Sequence, residues 1–123
     1  MNETIMIVDD STFIVDGLVA ILKRKGYKPV PALSGDECLE LLKTSTPDLI
    51  LLDIMMEPMD GWQTLTLIKN TPAKKDIPVF MVTGKAITDG EAQKYRGQFK
   101  IYLMKPVTPK QLKEAIEGYL KSP

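Results

Sequence analysis

The sequence predicts a doubly wound α/β fold in three layers, with five parallel strands and five helices. Short apolar runs alternate five times with amphipathic stretches, which is typical of βα units around a parallel sheet. The third and fourth runs are apolar throughout, as strands covered on both faces should be. The length of 123 residues and the hydrophobic content of 44% suit one domain with an ordinary core.

Five short runs are the predicted strands, and proline places one of them at an edge of the sheet. In chain order the strands are Thr4–Val8, Lys28–Ala32, Leu49–Leu52, Val79–Val82 and Ile101–Met104. Pro29 and Pro31 flank Val30 in the second strand. Because proline has no N–H to donate to a ladder, that strand is expected at an edge.

Helix boundaries are marked by three pairs with capping-box spacing: Ser34 with Glu37, Thr88 with Glu91, and Thr108 with Gln111. Apolar residues repeat on one face of the first and last helices, at Ile14, Leu18, Ile21 and Leu22 and at Leu112, Ala115, Ile116, Tyr119 and Leu120. The fourth helix, residues 89–96, offers only Ala92 and Tyr95 to a core before Gly97, so weak anchoring is predicted. The loop over residues 70–78 is predicted to be a solvated connection.

Composition excludes several classes of function. Sixteen basic and sixteen acidic residues cancel, so no cationic field draws in nucleic acid or anionic lipid. The chain has no histidine and one cysteine, Cys38, which excludes imidazole bases, an internal disulfide and cysteine zinc clusters. No apolar stretch approaches the ~18 residues of a membrane span. We therefore expect a cytoplasmic, soluble protein that neither inserts into membranes nor binds nucleic acid directly.

Polar residues follow four of the five strands. They are Asp9 and Asp10 after the first, Asp53 after the third, Thr83 and Gly84 after the fourth, and Lys105 and Pro106 after the fifth. In the flavodoxin-like order 2-1-3-4-5 these strand ends meet in one crevice. One lysine cannot neutralise three carboxylates, and oxygen ligands without histidine or thiolate suit Mg²⁺. The pattern predicts a metal site.

Each feature also has an ordinary structural interpretation when taken alone. Asp9 or Asp10 could cap the first helix, and Asp53 could form a turn. Thr83 with Gly84 is a common turn sequence. Four strand ends that each carry a compatible polar group nevertheless favour a functional site over four unrelated structural roles.

These residues resemble the receiver domain of two-component response regulators over nearly the whole chain, so residues 1–123 are interpreted as one such domain. The shared motifs are Met6-Ile7-Val8-Asp9-Asp10, Asp53-Ile54-Met55-Met56 leading to Met59-Asp60-Gly61, Thr83-Gly84, and Lys105-Pro106. The resemblance implies that Asp53 accepts a phosphoryl group from a histidine kinase or a histidine phosphotransfer protein. Asp9, Asp10, Asp53 and the Met55 carbonyl would hold Mg²⁺, and Lys105 would stabilise the transferred group.

The resemblance also implies a switch. The Thr83 hydroxyl would move to bind the phosphoryl oxygen, Gly84 would leave room for it, and Tyr102 would turn inward. The weakly anchored fourth helix would then yield, and an unknown downstream protein would recognise the changed face. The ordinary interpretation of Tyr102, a half-buried strand tyrosine, stays open.

Glu57 departs from the family pattern, and two further positions are ones at which the family adjusts the rate of phosphoryl hydrolysis. Glu57 occupies the position where the family usually has proline, and it either strengthens metal binding or points to solvent, the latter being expected of a glutamate. Met55 and Lys85 stand two residues after Asp53 and Thr83, where the family tunes hydrolysis. Neither side chain readily orients water, so a long-lived phosphoprotein is predicted, unless Lys85 is only a solvated charge. Residues 97–100 support no prediction of a dimer.

Two other functions compete with this interpretation. A phosphatase of the haloacid dehalogenase type uses similar groups, but its nucleophile follows the first strand in an Asp-x-Asp motif, whereas Asp9 and Asp10 are adjacent. A turnover enzyme is therefore not expected. A receiver-like interaction module that is never phosphorylated is the main alternative, although none of the functional residues is missing. Nucleotide or flavin binding is disfavoured because no glycine follows the first strand directly.

Overall fold

The computed structural model describes residues 2–120, in which strands and helices alternate strictly. Residue 1 and residues 121–123 of the predicted domain lie outside the described residues. The ten elements are β1 (Thr4–Val8), α1 (Thr12–Arg24), β2 (Lys28–Ala32), α2 (Gly35–Leu42), β3 (Leu49–Asp53), α3 (Gly61–Lys69), β4 (Val79–Thr83), α4 (Asp89–Lys94), β5 (Ile101–Met104) and α5 (Pro109–Leu120).

The sheet confirms the predicted topology. Its five strands are parallel and lie in the order β2-β1-β3-β4-β5, with the proline-containing β2 at one edge. Every residue of β3 and β4 is buried, as expected for strands covered on both faces. Both strands run one residue further than predicted because Asp53 pairs with Val82 and Thr83 with Met104, so the ladder continues through each polar residue.

Two apolar clusters cover the faces of the sheet and complete three layers. On one face, α1 and α5 bury Leu18, Leu22, Leu112 and Ile116 against β1, β3 and β4. On the other face, α2 and α3 bury residues that include Cys38. Burial raises the pKa of Cys38 to about 12, so the thiol stays protonated and unreactive.

Side-chain caps begin the helices largely as predicted, and two of the predicted caps are wrong in detail. Thr88 and Thr108 make the predicted reciprocal bonds with Glu91 and Gln111. Ser34 accepts from the Glu37 amide at 3.0 Å, but the Glu37 carboxylate accepts from the Leu33 amide instead of closing the box.

The N-cap of α1 is Ser11, not Asp9 or Asp10. The Ser11 hydroxyl accepts from the Ile14 amide at 3.3 Å. The carboxylate of Asp9 accepts from the amide of Ser11 at 2.9 Å, which leaves Asp9 outside the helix and close to the end of β1.

The fourth helix is as weakly anchored as predicted and is shorter. It ends at Lys94 instead of residue 96, and none of its own residues is buried. The loop after α3 is less solvated than predicted: Ile77 is buried, and the Lys69 ammonium donates to the carbonyls of Lys75 at 2.9 Å and Ile77 at 2.7 Å.

Candidate functional site

The carboxyl ends of β1 and β3 bring three carboxylates together. Asp9, Asp10 and Asp53 each offer an oxygen, and these atoms all lie within 4.8 Å of one another. Asp9 and Asp53 are buried, whereas Asp10 faces solvent. Because β1 and β3 pair directly, residues that end each strand are necessarily neighbours. The predicted metal ligands among the side chains therefore form one group.

Lys105, the first residue after the edge strand β5, supplies a positive charge to this group. Its ammonium nitrogen lies 2.6 Å from Oδ2 of Asp9 and 3.3 Å from Oδ1 of Asp53. The Lys105 amide also donates to the carbonyl of Thr83 at 2.8 Å, which holds the start of the β5–α5 loop against the end of β4. The lysine thus bridges the two buried acids.

One ammonium does not neutralise three carboxylates, and burial together with the excess negative charge shifts the pKa values of Asp53 and Lys105. Burial raises the pKa of Asp53, the charge of Asp9 raises it further, and Lys105 opposes both only in part. Burial alone lowers the pKa of Lys105, but its bonds to Asp9 and the charge of Asp53 outweigh burial and raise that pKa. Two like charges 4.8 Å apart repel by on the order of 3 kcal/mol at an effective dielectric near 20.

This imbalance predicts a pH-dependent stability for the metal-free protein. Because the pKa of Asp53 is raised on folding, the folded state binds its proton more tightly than the unfolded chain does. The contribution of Asp53 to stability is therefore greatest below the ordinary carboxyl pKa and is lost as pH rises through the folded pKa. As pH rises from the ordinary carboxyl pKa through the raised pKa of folded Asp53, we expect the urea midpoint of the wild type to fall. The midpoint of Asp53→Asn should fall less over the same pH range.

Asp36 on the surface of α2 provides the control for this measurement, since Asp36→Asn should keep the wild-type slope. Mg²⁺ at neutral pH should raise the wild-type midpoint, because a ligand that binds only the folded state stabilises it. Equal pH profiles for the wild type and Asp53→Asn would contradict this account.

A close backbone contact holds the start of α3 against Asp53. The Gly61 amide donates to the carbonyl of Ile54 at 2.8 Å. A Cβ at Gly61 would overlap the Asp53 carbonyl oxygen and lie 2.7 Å from the Ile54 Cα. Asp60 caps α3 in a capping box with Gln63, and the D-x-x-Q spacing in the sequence is the signal from which this cap can be found.

A cleft of about 360 Å³ opens beside the carboxylates. Its lining consists of the loop after β3, the start of α3 and the loop before α4: Asp10, Ile54, Met55, Met56, Glu57, Asp60, Trp62, Lys85 and Glu91. The Met55 side chain is 59% exposed, and its amide donates to the Asp53 carboxylate. Glu57 is exposed and lies outside the carboxylate group, in agreement with the solvent-facing interpretation.

The two predicted switch residues lie on neighbouring strands. Thr83 is fully buried at the end of β4, and its hydroxyl accepts from the Lys85 amide at 3.3 Å. Tyr102 on β5 pairs in register with Met81 and is 43% exposed. The structure therefore places Thr83 at the end of β4, next to the strand that ends in Asp53, and Tyr102 on the edge strand β5.

Comparison with known proteins agrees with this geometry. Protein PilG of Pseudomonas aeruginosa is 36% identical over 121 residues, which span 96% of this chain and 87% of PilG. The N-terminal domain of a response regulator receiver protein from Methanoculleus marisnigri JR1 is 55% identical, with a TM-score of 0.81 and 98% of each chain covered. Chemotaxis protein CheY4 of Vibrio cholerae, 24% identical, shares the fold with a TM-score of 0.90 over 98% of this chain and 100% of its own.

No helix among residues 2–120 is long and apolar enough to cross a membrane. Residues 5–117 match the family profile described as the response regulator receiver domain. With the strand order and the acidic group in place, this match shows that the chain belongs to the response regulator receiver domain family.

Proposed function

We propose that this chain is a phosphoacceptor switch of a two-component phosphorelay, in which Asp53 receives a phosphoryl group from a histidine kinase or a histidine phosphotransfer protein. One observation carries the proposal: the Asp53 carboxylate lies within 4.8 Å of those of Asp9 and Asp10 and 3.3 Å from the Lys105 ammonium. Receiver domains are generally phosphoacceptors and not turnover enzymes, and they generally bind Mg²⁺ at an acidic pocket.

The donor set fits Mg²⁺, since it consists of carboxylate oxygens that carry more negative charge than Lys105 balances. Asp9, Asp10 and Asp53 would hold the ion, with the Met55 carbonyl as a predicted further ligand. A bound Mg²⁺ would neutralise charge on the phosphoryl oxygens. The Asp53 oxygen forms the new bond to phosphorus as the donor's bond to phosphorus breaks, and the donor atom keeps that electron pair. Lys105 stabilises the phosphoryl charge.

The proposed output is a changed Thr83 and Tyr102 face that alters binding to a downstream protein. The Thr83 hydroxyl accepts a long hydrogen bond, 3.3 Å, from the Lys85 amide, and exchanging this weak bond for one to a charged phosphoryl oxygen would be favourable. Tyr102 is 43% exposed on β5, and α4, the helix that precedes β5 in the chain, buries no residue of its own. We also predict a cytoplasmic location, with a histidine kinase or a histidine phosphotransfer protein and a downstream protein as partners.

Intact mass after incubation with Mg²⁺ and acetyl phosphate tests the proposal. We expect one phosphoryl adduct, which should fail to form when a chelator removes Mg²⁺ before acetyl phosphate is added. Absence of an adduct, in a sample shown to bind Mg²⁺, would support the alternative of a receiver-like interaction module that is not phosphorylated.

The side chains around the cleft predict a long-lived phosphoprotein. Met55 and Lys85 both line the cleft that Asp10 also lines, and neither side chain readily orients an attacking water. We expect Met55→Asn or Lys85→Ala to raise the dephosphorylation rate by roughly tenfold, because an amide positions water and the loss of Lys85 removes a pairing charge. Decay of the adduct measured by intact mass decides the matter. Unchanged decay in both variants would refute it.

A further inference from the structure

Aspartate is followed directly by glycine at three places in the chain: Asp16-Gly17, Asp60-Gly61 and Asp89-Gly90. In such a pair the amide nitrogen of the glycine can attack the side-chain carboxyl of the aspartate, because glycine has no Cβ to hinder the approach. The attack needs an amide that is free of other bonds and a backbone that can turn toward the carboxyl. The fold therefore decides which of the three pairs reacts.

The first two pairs are held by hydrogen bonds. Gly17 lies in the interior of α1, where its amide belongs to the hydrogen-bond ladder of the helix. The Gly61 amide donates to the carbonyl of Ile54 at 2.8 Å, and the Asp60 carboxylate accepts from the amide of Gln63 at 2.8 Å. Each pair must break such bonds before its carboxyl can be attacked.

The third pair lies at the start of α4 and lacks such bonds. Gly90 is the second residue of the helix, a position whose amide has no acceptor within the helix. Among residues 2–120, no group outside the helix accepts from this amide, and none donates to the Asp89 carboxylate. Both residues are exposed, and a Cβ at Gly90 would meet only the Thr88 hydroxyl oxygen, at 3.9 Å. Because α4 buries none of its residues, its first turn opens at low cost.

The bonds that hold the first turn of α4 surround this pair but do not include it. The Thr88 amide donates to Oε1 of Glu91 at 3.0 Å, and the Glu91 amide donates to the Thr88 hydroxyl at 3.1 Å. Oε2 of Glu91 accepts from Nε1 of Trp62 on α3 at 2.8 Å. An extra backbone atom between Thr88 and Glu91 would therefore put the two halves of the cap out of register.

We propose that Asp89-Gly90 is a site of isoaspartate formation and that the fold protects Asp16-Gly17 and Asp60-Gly61. The Gly90 nitrogen bonds to Cγ of Asp89 and loses its proton, the carboxyl loses its hydroxyl, and the two leave together as water. Water then adds to the main-chain carbonyl carbon of Asp89 in the resulting succinimide ring. The bond from that carbon to the Gly90 nitrogen breaks, and the nitrogen keeps the electron pair and takes a proton at the carboxyl side of the ring opening. The chain now continues through Cγ, and only water has been exchanged.

Prolonged incubation of the folded chain in neutral buffer tests the proposal. Peptide mass spectrometry with electron-transfer fragmentation locates isoaspartate, and labelling by a protein isoaspartyl methyltransferase measures the total. Asp89 should convert at least about tenfold faster than Asp16 or Asp60, because only its amide reacts without the loss of a held structure. Equal rates at the three sites, or no isoaspartate at Asp89, would overturn the proposal.

The same incubation in urea separates the effect of the fold from that of the neighbouring sequence. Unfolding releases all three amides, so the three rates should agree within about threefold. If Asp89 remained as far ahead of the other two sites in urea as in the folded chain, the neighbouring sequence would set the rates and protection by the fold would be refuted.

Two variants test the mechanism at Asp89. Gly90→Ala should convert several times more slowly, both folded and in urea, because its methyl group hinders the attacking nitrogen, whereas the control Gly118→Ala should convert at the wild-type rate. Thr88→Ala removes the helix cap and should speed conversion about fivefold in the folded chain. Wild-type conversion in Gly90→Ala would refute the assigned nucleophile, and wild-type conversion in Thr88→Ala would refute opening of the first turn as the controlling step.

Trp62 reports the consequence of the modification, since it is the single tryptophan and its Nε1 bonds to Glu91. The isoaspartyl form, separated by ion exchange, should differ from the unmodified chain in tryptophan emission because the cap that positions Glu91 is disrupted. Identical emission of the two forms would show that the cap survives the extra backbone atom.

Discussion

Asp53→Asn is expected to abolish the phosphoryl adduct completely, whereas the wild type forms one adduct with Mg²⁺ and acetyl phosphate. The amide is not nucleophilic, and it also removes one of the three carboxylates that would hold the ion. The two remaining acids and Lys105 can still assemble, because Lys105 makes its shorter contact, 2.6 Å, with Asp9. The variant should therefore fold and fail only in the chemistry.

The matched control is Asp36→Asn, which replaces an exposed carboxylate in the first turn of α2. It should be phosphorylated at the wild-type rate under the same conditions. Intact mass measured at several times separates a slow reaction from an absent one. A full adduct in Asp53→Asn would show that another residue accepts the phosphoryl group and would refute the assignment of Asp53.

Gly61→Ala is expected to lower the free energy of unfolding by about 3 kcal/mol, a severe loss for a small domain. The new Cβ would overlap the Asp53 carbonyl oxygen and approach the Ile54 Cα to 2.7 Å. Neither contact can be relieved by a side-chain rotation, since both atoms belong to the backbone. The start of α3 or the end of β3 must move, and phosphorylation of any remaining folded protein should slow.

Gly118→Ala is the control for this variant. Gly118 lies in α5, where a Cβ would meet nothing within 4 Å, so alanine should stabilise the helix by about 0.5–1 kcal/mol. Urea unfolding followed by circular dichroism measures both changes. Equal stability of Gly61→Ala and the wild type would show that the contact between α3 and β3 relaxes without cost.

Local sequence patterns were sufficient to predict the strands and helices and the order of the strands in the sheet. The prolines of β2 predicted an edge strand, and the apolar runs of β3 and β4 predicted central strands, because each property depends only on neighbouring residues in the chain. The strand ends were misplaced by one residue at Asp53 and Thr83. Polarity marks the end of an apolar run, whereas the hydrogen-bond ladder ends where the neighbouring strand stops pairing.

The sequence alone identified the residues of the acidic group and the type of ion that such residues prefer, since residue type and strand-end position decide both. Their pairing required the tertiary structure. Lys105 and Asp9 are 96 residues apart, and Trp62 and Glu91 are 29 apart. No local periodicity couples positions so distant, so the bridge across the two acids and the attachment of α4 follow only from the way the helices and strands pack.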